Sequence, residues 1–227
     1  MWAVMKKELK SYFYSPIGYV FIGLFLAIFS FIFYITTISQ GAVTYQYVFF
    51  YSVMYIVIFL IPLLTMRTFS EERKNGTEQI LMTSPRSTVA IVLGKFLAAL
   101  VVIAITELFT LIYFGIICYF KTPDIPTVLV TMFGFLITSM AYISLGMFIS
   151  SITENQIIAA AATIGIFVLS WLAPSISTKL TSISLIEKFY PFATGVFPVT
   201  ETISLISITV MFVALTMVVI KRRKLVK

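Results

Sequence analysis

The sequence predicts an all-α membrane protein with six transmembrane helices, and three observations support this fold class. Of its 227 residues, 60% are hydrophobic and only 11% are charged, whereas about a quarter of the residues of a soluble domain are charged. The apolar residues form six runs of roughly the 20 residues that a helix needs to cross a bilayer. The basic residues gather at the ends of these runs, as is typical of membrane topology rather than of nucleic-acid binding.

The chain before the first run predicts an interfacial helix over residues 1–15. Apolar Trp2, Met5 and Leu9 share one helical face, and the opposite face carries the lysines Lys6, Lys7 and Lys10. This pattern is typical of an amphipathic helix lying on the membrane. The alternative is a frayed start of the first span.

Residues 16–227 are predicted to form a single six-helix transmembrane domain. The spans are predicted at 17–39, 46–66, 88–119, 127–150, 156–174 and 199–220, with tight turns at 40–45 and 120–126. The third run is long enough that its helix is either tilted or extends beyond the bilayer. Pro62 predicts a kink near the end of the second span.

The basic residues also predict the orientation. Twelve of the sixteen lie before span 1, in the loop between spans 2 and 3, or in the tail at 221–227. The opposite side holds only Lys121, Lys179 and Lys188. The positive-inside rule therefore places both termini and the central loop in the cytoplasm.

The central loop at 67–87 is polar and contains a second predicted helix. Asn75 is a candidate N-cap with Glu78 three residues later, and Gly76 relieves the turn. Apolar residues from Ile80 follow, and Thr83-Ser84-Pro85 ends the run. A short helix at 76–83 with an apolar tip suits docking into a groove on a soluble partner; the alternative is an ordinary solvated loop.

Two further segments interrupt the apolar pattern. Prolines and a glycine break the apolar stretch 174–198, which predicts a broken, re-entrant or interfacial helical hairpin on the outer side. In the short second cytoplasmic loop, Thr153 is a candidate N-cap with Gln156 in the capping-box position, beside Glu154 and Asn155. Capping alone accounts for these residues individually.

The sequence offers little for catalysis. It has no histidine and one cysteine, Cys118, which excludes His- and Cys-based metal sites and histidine-dependent nucleophiles. Its only Gly-Lys pair, Gly94-Lys95, lacks the spacing of a phosphate-binding loop, so neither a metal nor ATP is expected to bind this chain. Glu107 falls near the middle of span 3 and marks either a transport path or a neutral carboxyl hydrogen-bonded to Thr106, Thr110, Tyr113 or a residue on another helix.

The order of these features resembles the ABC-2 class of ABC transporter permeases. The residues carrying the resemblance are KKELKSYFYSPIGYVF at 6–21, RTFSEERKNGTEQILMTSPRS at 67–87, VLGKFLAAL at 92–100 and SSITENQIIAA at 150–160. The start and the central loop are most similar to the gliding-motility-associated permeases. The resemblance covers essentially the whole chain.

The resemblance implies a non-catalytic permease, an exporter in the inner or plasma membrane of a prokaryote. Two ATP-binding subunits, which hold the ATP and Mg²⁺, would pair with two permease chains, identical in the simplest case. The helix near 76–83 would be the coupling helix, and a further extracytoplasmic partner is compatible with the family. The implied ATPase-coupling residues are Glu71, Glu72, Arg73, Gly76, Thr77, Glu78, Ile80, Leu81, Thr83, Ser84 and Pro85.

Two other functions remain open on the residues alone. A membrane-embedded enzyme would act without a partner, but the spans carry no paired aspartates. A membrane anchor or a sensory component would show no ATP-dependent movement of cargo.

Overall fold

The computed structural model describes residues 1–39, 45–78, 87–120 and 124–226, and in these ranges the chain is helical, with no strand. Six of its helices are long and apolar enough to cross a membrane, which confirms the predicted fold class. Their bounds are Pro16–Ile38, Tyr45–Lys74, Thr88–Phe120, Ile125–Ile152, Gln156–Ile176 and Val199–Arg223. These are spans 1 to 6. Residues 40–44 of the predicted turn at 40–45 and residues 121–123 of the predicted turn at 120–126 lie outside the described residues.

Helix α1 (Trp2–Tyr14) precedes span 1 and lies against span 3 rather than standing free. Val4 and Tyr12 are buried, while Trp2 and the three lysines of the opposite face are exposed. The helix contacts span 3 where Gly94 leaves no side chain, since a Cβ there would come within 2.8 Å of the Val4 Cβ. The amphipathic pattern is thus used at least partly for packing on the protein.

Spans 1 and 2 are not uniform α-helices. Span 1 is α2 (Pro16–Phe33) followed by a π-helical turn at Tyr34–Ile38. Span 2 contains α3 (Tyr45–Tyr51), a π-helical segment at Ser52–Val57 and α4 (Ile58–Thr65). Pro62 has no N–H, so it cannot donate to the Ile58 carbonyl four residues earlier. The π-helical segment ends at Val57, the residue directly before Ile58.

The helix of span 2 does not end at residue 66 as predicted. After a break at Met66 it resumes as α5 (Arg67–Lys74), in the polar stretch that the sequence assigned to a loop. Thr68, Phe69 and Ser70 are buried against neighbouring helices. Packing on other spans, which local composition does not reveal, therefore stabilises this polar helix.

Span 4 is the centre of the bundle. Helices α6 (Thr88–Phe120), α7 (Ile125–Ile152) and α8 (Gln156–Ile176) form spans 3 to 5. Helix α7 packs against spans 2, 3, 5 and 6, and its most extensive contact is with span 6. Phe135 of α7 meets Phe25 of span 1 and Phe49 of span 2, with ring centroids 6.0 and 5.3 Å apart. Spans 5 and 6 are the least buried and so leave broad apolar faces outward.

The broken segment before span 6 folds back onto the bundle. A 3-10 helix at Thr178–Ile183 leads into α9 (Leu185–Ala193), and Gly195, with φ of 80°, turns the chain into α10 (Val199–Val226). The Phe192 carbonyl accepts a 2.9 Å hydrogen bond from Thr131 Oγ1 of span 4. The structure thus has one short α-helix and a 3-10 turn here, and the α-helix buries Leu185, Ile186, Phe189 and Phe192.

Candidate functional site

The candidate site is the end of the bundle where α1, α5 and the loop between spans 4 and 5 meet. Helix α5 begins after the break at Met66, so the N–H groups of its first turn lack partners within the helix. The Ser150 hydroxyl of span 4 accepts from the N–H groups of Phe69 (3.2 Å) and Ser70 (3.3 Å) and donates to the Met66 carbonyl (3.0 Å). Ser150 thus caps α5 from another helix.

A buried lysine joins α5 to two further elements. Lys95 of span 3 is 2% exposed, and its ammonium donates to Glu8 Oε1 of α1 (3.2 Å), Glu72 Oε1 of α5 (2.8 Å) and the Thr68 carbonyl (2.7 Å). These bonds use all three ammonium protons. The ammonium also lies 5.2 Å from the centroid of the Phe69 ring. We call Lys95, Glu8 and Glu72 the lysine cluster.

Tyr12 fixes α1 to the end of span 2. Its hydroxyl lies 3.3 Å from the Leu64 carbonyl and donates to it. Burial raises the pKa of the Tyr12 phenol well above its usual range, and the nearby Glu8 carboxylate acts in the same direction. The phenol therefore stays protonated and keeps this hydrogen bond over the whole physiological pH range.

A second group of charges lies at the other end of α5. The Arg73 guanidinium donates to the Ile152 carbonyl at the end of span 4 (2.9 Å) and lies 3.6 Å from Glu78 and 3.9 Å from Glu154. Arg223 of α10 reaches the same Glu78 carboxylate at 3.5 Å. We call Arg73, Glu78 and Arg223 the arginine cluster; it ties the segment after α5 to the last span.

Several predicted coupling residues lie in these clusters. Glu72, Arg73 and Glu78 take part as described, whereas Glu71 forms a bidentate pair with Arg67 of its own helix, with Nε and Oε2 2.7 Å apart. Gly76 has a φ of 70°, and the Thr77 hydroxyl donates to the Glu72 carbonyl. The remaining predicted coupling residues, Ile80, Leu81, Thr83, Ser84 and Pro85, lie outside the described residues, as does most of the predicted helix at 76–83.

The two N-caps predicted from the sequence are wrong. Asn75 ends α5 instead of starting the next helix: its N–H donates to the Glu71 carbonyl, and Gly76 follows in the left-handed conformation that terminates helices. Thr153 ends span 4, because its hydroxyl donates back to the Ile149 carbonyl.

In the loop between spans 4 and 5 the N-cap is Asn155. Its Oδ1 accepts from the Ile157 N–H at 2.9 Å, and Gln156 is the first helical residue rather than the third. Glu154 is largely exposed and lies near Arg73.

Glu107 is buried in span 3, and its Oε1 has no hydrogen-bond partner among the described residues. The three partners proposed from the sequence bond elsewhere. Thr106 donates to the Val102 carbonyl, Thr110 donates to the Glu107 main-chain carbonyl, and Tyr113 pairs with Ser30 at 2.5 Å. One oxygen of this carboxyl is thus a buried polar atom without a hydrogen bond among the described residues.

The residues that sequence reasoning missed are Lys95, Ser150, Glu8 and Arg223. From the sequence, Lys95 was considered only as part of the Gly94-Lys95 pair. A lysine inside the apolar run VLGKFLAAL needs a buried partner. Its position in the sequence could therefore have indicated a carboxylate on another helix. Ser150 carried no signal, since serines are common in such spans.

The described residues contain no group of three His, Cys, Asp or Glu side chains able to hold a metal ion. A family model with the description ABC-2 family transporter protein matches residues 2–225. None of the curated proteins compared with the chain matches it.

Proposed function

Since the chain belongs to the ABC-2 family of transporter proteins, whose membrane subunits generally work with an ATP-binding subunit, we propose that it exports cargo using ATP hydrolysed by separate subunits. Two ATP-binding subunits bind the ATP and Mg²⁺ and pair with two copies of this chain. The complex lies in the inner or plasma membrane of a prokaryote, with both termini in the cytoplasm.

The observation that carries this proposal is the attachment of α5 to four other elements. The lysine cluster joins it to α1 and span 3, and Ser150 joins it to span 4. The arginine cluster joins the residues directly after it to span 6. Membership of the family predicts an ATP-binding partner. The contacts of α5 connect the surface that we propose meets this partner with spans 3, 4 and 6.

The proposed mechanism has one mechanical step. Closure of the ATP-binding subunits displaces the segment at 76–83, which follows α5 without a long linker. Because close-packed helices transmit strain rather than absorb it, α5 carries α1 and the cytoplasmic ends of spans 3, 4 and 6 with it. The catalytic groups for ATP hydrolysis belong to the partner.

Glu107 is proposed as a polar point on the transport path. A buried carboxyl oxygen without a hydrogen bond from the described residues is costly inside a membrane protein, and such groups usually serve a function. Glu107→Gln is expected to lower the transport rate while leaving ATP-dependent assembly intact. Unchanged transport in this variant would contradict the role.

The test of the main proposal is purification of the tagged chain from its native membrane in mild detergent, with mass spectrometry of co-purifying proteins and an ATPase assay. We expect a stoichiometric ATP-binding subunit. Ile80→Asp and Leu81→Asp should release it or uncouple it, while Ile125→Asp, a matched change at an exposed position at the other end of the bundle, should not. A preparation free of ATPase activity, or full coupling in the loop variants, would favour an anchor or sensory role instead.

A further inference from the structure

A narrow groove runs between the start of span 1 and the α4 part of span 2. It encloses about 210 Å³ and is lined by aliphatic side chains from both helices, including Val20 and Leu24 of span 1 and Leu60 and Leu63 of span 2. Val20, Leu24 and Leu63 are more than 40% exposed. The wall is therefore apolar but not filled by the protein itself.

The groove has the length of one leaflet. The two spans run in opposite directions, so Ile17 and Arg67 lie at one end and Leu24 and Leu60 at the other. From Pro16 to Leu24 the helix rises about 12 Å at 1.5 Å per residue. One leaflet contributes about 15 Å of the hydrocarbon core.

A polar compartment adjoins the end of the groove marked by Arg67. It encloses about 30 Å³, shares Ile17 and Arg67 with the groove, and is lined also by Glu8 and Glu71. The Arg67 guanidinium is paired with Glu71, and both side chains are about 30% exposed. Two carboxylates, Glu8 and Glu71, and one guanidinium, Arg67, line the compartment. Lys95 pairs with Glu8 but also with Glu72, so it does not balance the charge of Glu8 alone. Carboxylates therefore outnumber cations here.

We propose that this groove binds one phospholipid of the adjacent leaflet with an amine-bearing, zwitterionic headgroup of the phosphatidylethanolamine type. An acyl chain packs against spans 1 and 2, the phosphate accepts from Arg67, and the ammonium donates to the carboxylates of Glu71 and Glu8. Arginine suits phosphate because it presents several N–H donors in a fixed plane. Because carboxylates outnumber cations in the compartment, it favours a headgroup that carries an ammonium group.

The dimensions favour an acyl chain over a protein segment. A helix with its side chains is about 10 Å across, whereas a groove of about 210 Å³ spread over one leaflet admits only a single chain. The proposal does not rest on ATP coupling: the groove and its polar end at Arg67, Glu71 and Glu8 would exist whether or not the chain transports anything, although Glu8 also belongs to the lysine cluster.

The test uses the full chain reconstituted into vesicles of equal parts phosphatidylethanolamine, phosphatidylcholine and phosphatidylglycerol. After gentle re-extraction, native mass spectrometry reports both the lipids retained and the number of chains. We expect one tightly held lipid per chain, with phosphatidylethanolamine enriched about fivefold over phosphatidylglycerol, the discrimination that one partly exposed charge pair provides.

A groove-filling variant and its control distinguish lipid bound in the groove from lipid that contacts the protein surface in general. Val20→Trp with Leu63→Trp fills the groove and should remove the bound lipid, while Leu129→Trp, at a similarly exposed position of span 4 outside the groove, should retain it. Glu71→Gln leaves the packing unchanged and frees Arg67. It should shift the selectivity toward phosphatidylglycerol.

Retention of the lipid after filling the groove would overturn the proposal, as would a wild-type preference for phosphatidylglycerol. A loss of paired chains on filling, with no change in lipid, would show that the groove is a contact between copies instead. Glu71→Gln decides the matter even if the tryptophan variants fail to fold, since unchanged headgroup selectivity in it would also overturn the proposal.

Discussion

Lys95 is the residue on which the end of the bundle formed by α1, α5 and the start of span 3 most depends. Its ammonium is 2% exposed and meets two carboxylates that are themselves only about 15% exposed. Removing one partner of a buried ion pair leaves uncompensated charge and costs about 3–5 kcal/mol. We expect Lys95→Met to lower the free energy of unfolding in detergent by an amount in that range.

The matched control also neutralises the two carboxylates that Lys95→Met leaves without a cation. Adding Glu8→Gln and Glu72→Gln to Lys95→Met should restore most of the lost stability, because neutral groups replace the buried carboxylates. Chemical denaturation of all three proteins in the same micelles measures the differences. Equal stability of Lys95→Met and wild type would show that the cluster is solvated and contributes nothing.

Ser150 supports a second residue-level prediction. Its hydroxyl serves two N–H groups of α5 and one carbonyl, whereas the neighbouring Ser151 hydroxyl bonds only the Phe148 carbonyl of its own helix. Ser150→Ala leaves buried donors unsatisfied and should cost about 1–3 kcal/mol. Ser151→Ala should be nearly neutral, and similar melting temperatures for the two variants would contradict the cap.

Some local details could not be predicted because the sequence allows two readings. The run Thr153-Glu154-Asn155-Gln156 offers two good N-caps two residues apart. The structure uses Asn155, since the Thr153 hydroxyl bonds back to span 4. Asn75 is equally suited to end a helix before Gly76 as to start one.

Among the elements, the spans were predictable and α5 was not. An apolar run of about 20 residues has few alternatives to a transmembrane helix, so every span end except the C-terminal end of span 2 lies close to its expected position. The polar run RTFSEERK gives no such signal. Its helix is stabilised by Ser150 and Lys95, which lie about 80 and 25 residues away along the chain and are brought near only by folding.

The contact between α1 and span 3 supports an element-level prediction. A Cβ at Gly94 would lie 2.8 Å from the Val4 Cβ, whereas Gly115 of the same span has nothing within 4 Å. Gly94→Leu should force α1 away at a cost of about 1–3 kcal/mol, and Gly115→Leu should not. Trypsin cleavage after the exposed lysines of α1 measures the displacement; equal cleavage of the two variants would contradict it.

At the scale of the whole molecule, the lysine and arginine clusters join chain segments that are distant in sequence. Together they connect α1, α5, the end of span 4 and the end of span 6. The lysine cluster is buried and so is little screened by salt, whereas Arg223 is partly exposed and its pair is weak. The two ends of α5 therefore differ, with a firm attachment to α1 and span 3 and a looser one to span 6.

The orientation of the whole molecule is the remaining prediction, and it decides whether the site can meet ATP at all. The distribution of basic residues places α1 in the cytoplasm and the segment before span 6 outside. In a Cys118→Ser background, Lys10→Cys and Ile183→Cys each give one exposed thiol at opposite ends of the bundle. A membrane-impermeant maleimide should label residue 183 in intact cells and residue 10 only after permeabilisation, with both labelled equally in denaturant as a control. The reverse pattern would place α5 and the segment after it outside the cell, where no ATP-binding subunit could reach them.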